Sequence, residues 1–264
     1  MITIENVEVV GIDHAIRGMR NPKNSWDRSD SLPVRDDTEC TSTCVLGDFD
    51  RCDDCYLTSE AGVIIGTKDY GLMNKLAKGG AVHAKYRRMI VVYLDITAPL
   101  YWWKEFDTYK VGTVTNSCST MHTIHEKVFT LDDFSFEHLL GGDVAPLLQD
   151  PNDDLNAWSP SQIASYTVSM LNACRLKYLE ADEMVKNGTD KMSKDEAITL
   201  RKQYWWQMIQ LLPSSYNQKR TIMLNYEVLA GMYKWRKNHK LDEWREFCRW
   251  IENLPYSEII TGGN

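Results

Sequence analysis

Long apolar runs are missing from this chain. No stretch approaches the length of a membrane-spanning helix. The opening residues, "MITIENVEVVGI", lack the basic start and extended apolar segment of a secretory leader, so a cytoplasmic location is expected. An excess of positive charge is missing as well. Lys and Arg total 30 against 37 Asp and Glu, giving a net charge of −7 and a pI near 5.4. That balance argues against a broad nucleic-acid-binding face while leaving room for a local basic pocket. There is no GxSxG, no P-loop and no GxGxxG, and no internal repeat or low-complexity tract. What remains is a chain of 264 residues, 43 % apolar and 25 % charged, the profile of a globular protein with ample material for a core.

The coarse reading is α+β. Residues 2 to 10 alternate apolar and polar and are rich in Ile and Val, which predicts a strand, as does the apolar run "RMIVVYLDI" at 88 to 96. "DHAIRGMR" (13 to 20) predicts a short helix, residues 21 to 33 a loop, and "LMNKLAKGG" (72 to 80) a helix stopping on its Gly pair. Residues 131 to 160 read as a long acidic connection. The C-terminal half is helical. One helix opens on Ser159 and Pro160 and closes on Gly188; another starts at Ser193 with Asp195 and Glu196 and ends before Pro213. "QKRTIMLNYEVLAGMYKWRKN" carries Leu224, Val228, Leu229 and Met232 on one helical stripe, and "LDEWREFCRWIENLP" carries Leu241, Trp244, Phe247, Cys248 and Ile251 at helical spacing. A single domain over 1–264 with a Cys-rich insertion at 36–60 is expected.

Seven cysteines are present, four of them within 16 residues: Cys40, Cys44, Cys52 and Cys55. A Cys-x3-Cys and a Cys-x2-Cys separated by seven residues can place four thiolates around one tetrahedral zinc ion. Such a closed site is structural and contributes folding energy. Reduced surface thiols are the alternative; disulfides do not suit a cytosolic protein. His122 and His125 can ligate a metal if they share a helix, or serve as ordinary hydrogen-bonded residues. Cys118 near His122 lacks a third, orienting group for a nucleophile. Arg17, Arg20, Lys23, Arg28 and Arg35 form a basic N-terminal patch that matches phosphate oxygens, or else a solvated face paired with nearby Asp residues.

Two segments, "HAKYRRMIVVYLDITAPLYWWKEFDTYKVGTVTNSCSTMH" (83 to 122) and "LLPSSYNQKRTIMLNYEVLAGMYKWRKNHKLDEWREFCRWI" (211 to 251), resemble the flavin-dependent thymidylate synthases. The resemblance implies that family's α+β fold, with a central antiparallel or mixed sheet and long helices in the C-terminal half. His83 falls at a flavin-touching His, and with no gap Ala98 and Pro99 fall at the family's Ala-Pro. Leu212 and Pro213 fall at its Leu-Pro; Asn225 then falls at a flavin-contacting Asn and Arg236 at the Arg that grips the pyrimidine of deoxyuridylate. The family's Arg-His-Arg is replaced by Thr108, Tyr109 and Lys110. Its Asn-Glu-x-Ser-x-Arg-Tyr tail is matched, after a one-residue shift, by Asn116, Ser117, Ser119, Met121 and His122. Glu227 stands where an Arg is found and Gly231 where an Asn is found. The wording "APLYWWKEFDTYKVGT" is similar to that of proteins from bacteriophages and their hosts.

On this resemblance the expected reaction is methylene transfer from methylenetetrahydrofolate to dUMP, with FAD-mediated reduction and NADPH as co-substrate. The resemblance implies Arg236 as the catalytic residue. It implies His83, Asn116 and Asn225 as cofactor contacts and Ser119 and Arg236 as substrate contacts; by residue type, Tyr109 and Lys110 suit the cofactor, Glu105 can accept from a substrate ring N–H, and Arg17 and Arg20 can supply phosphate-binding charge. A homotetramer is implied by the same analogy. Trp102 and Trp103 are expected to end a buried strand, or to serve as core or interface residues, with Glu105 to Lys110 flooring a pocket for planar, anionic ligands. Two other readings stand beside this one: a nucleotide-binding homologue without the synthase reaction, and a non-enzymatic, zinc-stabilised binding protein.

Overall fold

A computed structural model describes residues 2–33, 63–141 and 159–262. Six strands and nine α-helices occur among them: β1 (Thr3–Val10), α1 (Ile12–Arg20), β2 (Leu32–Pro33), β3 (Val63–Ile64), α2 (Thr67–Lys78), β4 (Val91–Pro99), α3 (Leu100–Phe106), β5 (Val114–Ser117), α4 (Thr120–Thr123), α5 (Pro160–Asn187), α6 (Lys194–Leu211), β6 (Asn217–Asn225), α7 (Tyr226–Arg236), α8 (Asp242–Glu252) and α9 (Glu258–Thr261). The main sheet has the order β1-β4-β6-β5, and β2 and β3 form an antiparallel pair. In β4 every second residue from Val92 to Ala98 is buried, and in β6 Ile222 and Leu224 are buried. Period-two burial on adjacent central strands gives the sheet one core face.

The chain divides into two compact units. The larger comprises Ile2–Ile96, Glu105–Asn116 and Arg220–Asn264. Its α1 starts at Gly11, whose φ of +86° and whose missing Cβ (which would lie 2.2 Å from the Met89 carbonyl oxygen) both require glycine. Asp30 caps α2 from the preceding loop, accepting from the amides of Lys68 at 2.9 Å and Asp69 at 3.0 Å. Tyr226 is buried and donates to the Pro255 carbonyl at 2.7 Å, which ties the start of α7 to the chain after α8. Trp244, Phe247 and Ile251 on α8 are fully buried, each contributing about 1.5–3 kcal/mol or more of apolar transfer.

The second unit comprises Thr97–Lys104 and Ser117–Lys219. Its body is the α5–α6 hairpin. Both helices carry capping boxes, Ser159 with Gln162 and Ser193 with Glu196, as their sequences predict. Ile124, Phe129 and Phe134 pack on Val168, Leu171 and Met208 in one apolar cluster. Asn172 clamps the backbone of Phe129, donating to its carbonyl at 2.8 Å and accepting from its amide at 2.9 Å.

Two sequence expectations are corrected. Residues 217–225 form strand β6, and the helix begins only at Tyr226. The helical stripe from Leu224 misled because Leu224 belongs to the alternating strand pattern; Asn225 breaks the strand and caps the helix. Trp102 and Trp103 do not end a strand. The strand stops at Pro99, and both rings lie in α3, buried edge to face with centroids 4.9 Å apart. Successive strand residues point to opposite faces, so two neighbouring Trp rings reach one core together from a helix.

Candidate functional site

The larger unit brings five of its side chains into one cluster: Glu105 at the end of α3, Tyr109 just beyond it, Arg236 at the end of α7, His239 three residues on, and Trp244 in α8. The α7 backbone that carries Arg236 is started by Asn225, whose Oδ1 accepts from the amides of Glu227 and Val228, each at 3.1 Å. Arg236 donates from Nη1 to Glu105 Oε2 at 2.6 Å and from Nε to the Tyr109 hydroxyl at 2.9 Å. Its guanidinium carbon lies 4.7 Å from the Trp244 ring centroid and 5.5 Å from that of Tyr109. The guanidinium therefore rests on two aromatic rings and is locked by two hydrogen bonds, a geometry that a flexible ammonium cannot reproduce.

Glu105 Oε2 also accepts from Trp244 Nε1 at 3.0 Å, and His239 Nε2 lies 3.5 Å from it. His239 Nδ1 accepts from the Leu241 amide at 3.2 Å, which leaves Nε2 as the nitrogen nearer the carboxylate. Among the described residues, Glu105 Oε1 and Arg236 Nη2 carry no hydrogen bond, and both side chains retain solvent exposure, 35 % and 18 %. The cluster thus ends in one open acceptor and one open donor beside aromatic rings.

The other predicted residues fall as follows. His83, Lys110 and Asn116 are exposed. His83 caps the 3-10 turn Ala84–Met89 through its backbone, and Asn116 lies on β5. Asn225 uses its amide oxygen as the helix cap, and its Nδ2 stands 3.0 Å from where a Cβ on Gly112 would lie. Arg17 is exposed on α1, whereas Arg20 is buried, paired with Asp69 and bonded to the Ser25 and Arg28 carbonyls at 3.0 Å each. Ser119 belongs to the second unit and caps α4 by accepting from the His122 amide. Near Glu227, where the resemblance puts an Arg, Arg87 Nη1 stands at 3.8 Å.

Cys40, Cys44, Cys52, Cys55 and Arg35 lie outside the described residues. His122 is on α4, but His125 falls beyond its end, its ring 4.5 Å from that of Tyr178. Among the described residues no three His, Cys, Asp or Glu side chains are placed to hold a metal ion, and no helix is long and apolar enough to cross a membrane. His239 and Trp244 escaped the sequence reading as site residues. Trp244 looked like one more apolar position on its stripe, and His239 has no motif. The available signal was the acid-free run from Val228 to Leu241, whose cations have their carboxylate partner far away in sequence.

No family model matches the chain, and no curated protein matches it. Solved structures do. The flavin-dependent thymidylate synthase ThyX of Helicobacter pylori, complexed with FAD and dUMP, is 14 % identical with a TM-score of 0.50, over 98 % of this chain and 95 % of that one. A second structure of thymidylate synthase X from Helicobacter pylori, with FAD and dUMP, gives 14 % identity and a TM-score of 0.48 over 96 % of each chain. The former likeness is one of fold: the chain has the α+β fold of the flavin-dependent thymidylate synthases.

Proposed function

We propose that the protein is a flavin-dependent pyrimidine-nucleotide methyltransferase, transferring a methylene from methylenetetrahydrofolate to a dUMP-like nucleotide, and that it works as an oligomer. The observation that carries the reading is the Arg236 clamp. A guanidinium laid on two aromatic rings, with Nη2 open, is suited to a planar ring that bears a carbonyl. It stands on the helix where the sequence resemblance puts the pyrimidine-gripping Arg. The fold likeness to a protein complexed with FAD and dUMP supports the same class of ligand.

On the sequence match, His83, Lys110 and Asn116 are the residues that would hold FAD. His83, Lys110 and Asn116 offer exposed side chains with no hydrogen bond among the described residues. A cation, an amide and an imidazole suit a pyrophosphate and a heteroaromatic ring. Tyr109 accepts from Arg236 and keeps its own proton to donate. Asn225 has its amide oxygen turned to the helix, so only its Nδ2 remains for a ligand. The chemistry a bound flavin supplies is hydride transfer to the transferred carbon, with NADPH as the source of reducing equivalents. The chain's own work is positional and electrostatic: Arg236 holds the pyrimidine and stabilises negative charge developing on its ring, Glu105 faces the same ring, and Lys110, with Arg17, attracts phosphate.

The test is spectroscopic. The purified protein is expected to be yellow and to release flavin on denaturation; a colourless protein that takes up no added FAD overturns the reading. With FAD, methylenetetrahydrofolate and NADPH supplied, mass spectrometry is expected to find dUMP methylated. The Glu105 carboxylate, which neutralises Arg236 at 2.6 Å, favours a second reading, a nucleotide-binding homologue with altered chemistry. That reading is supported instead if dUMP binds, by calorimetry, to a protein that binds no flavin. The four-cysteine set is proposed on its spacing as a structural zinc site. Metal analysis should find about one zinc per chain, lost in Cys52→Ser; a metal-free, fully stable protein rejects it.

A further inference from the structure

We infer that Glu105 and Arg236 together read an N–H beside a C=O on the ligand ring, and that Trp244 and His239 are the positioning residues that turn Glu105 to do so. The inference rests on the proposed pyrimidine-nucleotide site and assigns its selectivity. Two donors converge on a single oxygen of Glu105, Arg236 Nη1 at 2.6 Å and Trp244 Nε1 at 3.0 Å, and His239 Nε2 stands 3.5 Å from it. His239 cannot turn its other nitrogen to the carboxylate, because Nδ1 receives the Leu241 amide at 3.2 Å. With Oε2 held by two donors, Oε1 is left open.

The open atoms form a matched pair. Glu105 Oε1 only accepts, and Arg236 Nη2 only donates. They belong to two side chains already joined at Oε2 and Nη1. A ring edge that places an N–H next to a carbonyl, as in uracil, satisfies both at once. A bare anion satisfies only Arg236 and is opposed by Glu105. A ring lacking the N–H leaves the carboxylate oxygen desolvated without a donor, a penalty larger than the loss of one neutral hydrogen bond. Charge neutralisation of Arg236 therefore turns a cationic grip into a selective one. Trp244 serves twice, its N–H fixing Glu105 and its face carrying the guanidinium.

The experiment is calorimetric titration of the full chain, as purified and with FAD added, with dUMP and with N3-methyl-dUMP. The wild-type protein is expected to bind dUMP about tenfold or more tightly than the N3-methyl compound. Glu105→Leu should bring the ratio close to one. Trp244→Phe keeps a ring and removes the N–H, and His239→Leu removes the imidazole beside Oε2; each should reduce the ratio by about threefold or more. A purely structural role for Trp244 or His239 would weaken both ligands alike and leave the ratio unchanged, which overturns their assignment. If Glu105→Leu fails to fold, Trp244→Phe decides. Equal binding of the two compounds by the wild-type protein overturns this inference while the proposed function stands. No binding of dUMP under either condition overturns both.

Discussion

Arg20 and Asp69, 49 residues apart in sequence, meet in a buried ion pair at 2.6 Å, with side chains 5 % and 0 % exposed. Asp69 is a hub. One oxygen faces Arg20; the other accepts from the Ser29 and Ser31 hydroxyls at 2.6 and 2.7 Å and from the amides of Asp30 and Ser31. The loop at 21–33 is thereby tied to α2. Asp69→Ala is expected to destabilise the protein by about 3–5 kcal/mol, because it strands a buried guanidinium. Replacing Arg20 and Asp69 together with apolar residues should cost less than the single change. Urea denaturation of the wild type and the two variants checks both statements.

The same pair sets a pH dependence. Burial pushes the Asp69 carboxyl up, but the Ser29 and Ser31 hydroxyls and the Arg20 guanidinium outweigh it and hold the carboxyl below its ordinary value of 3.8. A carboxyl depressed in the folded state contributes its full stabilisation above the unfolded value and loses it as pH falls through the folded one. The Asp69 contribution is thus intact at neutral pH and disappears in acid below about pH 4. Stability measured against pH should fall more steeply there in the wild type than in Asp69→Asn. Parallel curves would show that the pair titrates without consequence.

Arg236→Lys retains charge but not the planar fork. One ammonium cannot lie on the Trp244 ring while meeting Tyr109 and Glu105 in their present directions. Affinity for dUMP is expected to drop about tenfold or more, with little change in Tm, by calorimetry and thermal melting. Unchanged affinity would remove Arg236 from the binding site.

Asn225 and Gly112 should couple. Asn225→Ala removes the α7 cap and is expected to cost about 1 kcal/mol. Gly112 has φ +78°, and a Cβ there would lie 3.0 Å from Asn225 Nδ2 and 3.1 Å from Val228 Cγ2. Gly112→Ala should cost about 1–2 kcal/mol from its left-handed backbone, plus the crowding. In the double variant the clash with the Asn225 amide is gone, so the combined loss should be smaller than the sum of the single losses. Denaturation of the four proteins of the cycle measures it.

Cys248 is buried, and burial pushes its thiol up to about 12. The thiolate is the reactive form. Alkylation at neutral pH followed by peptide mapping should label exposed Cys118 in the folded protein and Cys248 only after denaturation. Rapid native labelling of Cys248 would mean that α8 opens readily.

Features whose causes are local were legible in the residues alone. Ser159 and Ser193 begin their helices because their side chains satisfy amides three residues on, and "TIENVEVV" forms β1 because its β-branched residues suit a pleated surface. Ambiguity appeared where two periods overlapped. Leu224 fits a helical stripe with Val228 and Met232, yet its place in the sheet beside β4 makes it a strand residue. Trp102 and Trp103 follow an apolar strand, yet both can be buried together only on a helix. The candidate site was half legible. Arg236, Tyr109 and Glu105 could be marked by type and resemblance, because arginine, tyrosine and glutamate carry their chemistry wherever they stand. That Glu105 neutralises Arg236, that His239 and Trp244 orient the carboxylate, and that Arg20 is buried against Asp69 rather than open to phosphate were decided by the tertiary structure alone. Each depends on partners dozens of residues away, and no local propensity encodes which side chains the folding of α2, α7 and α8 brings within 3 Å of one another.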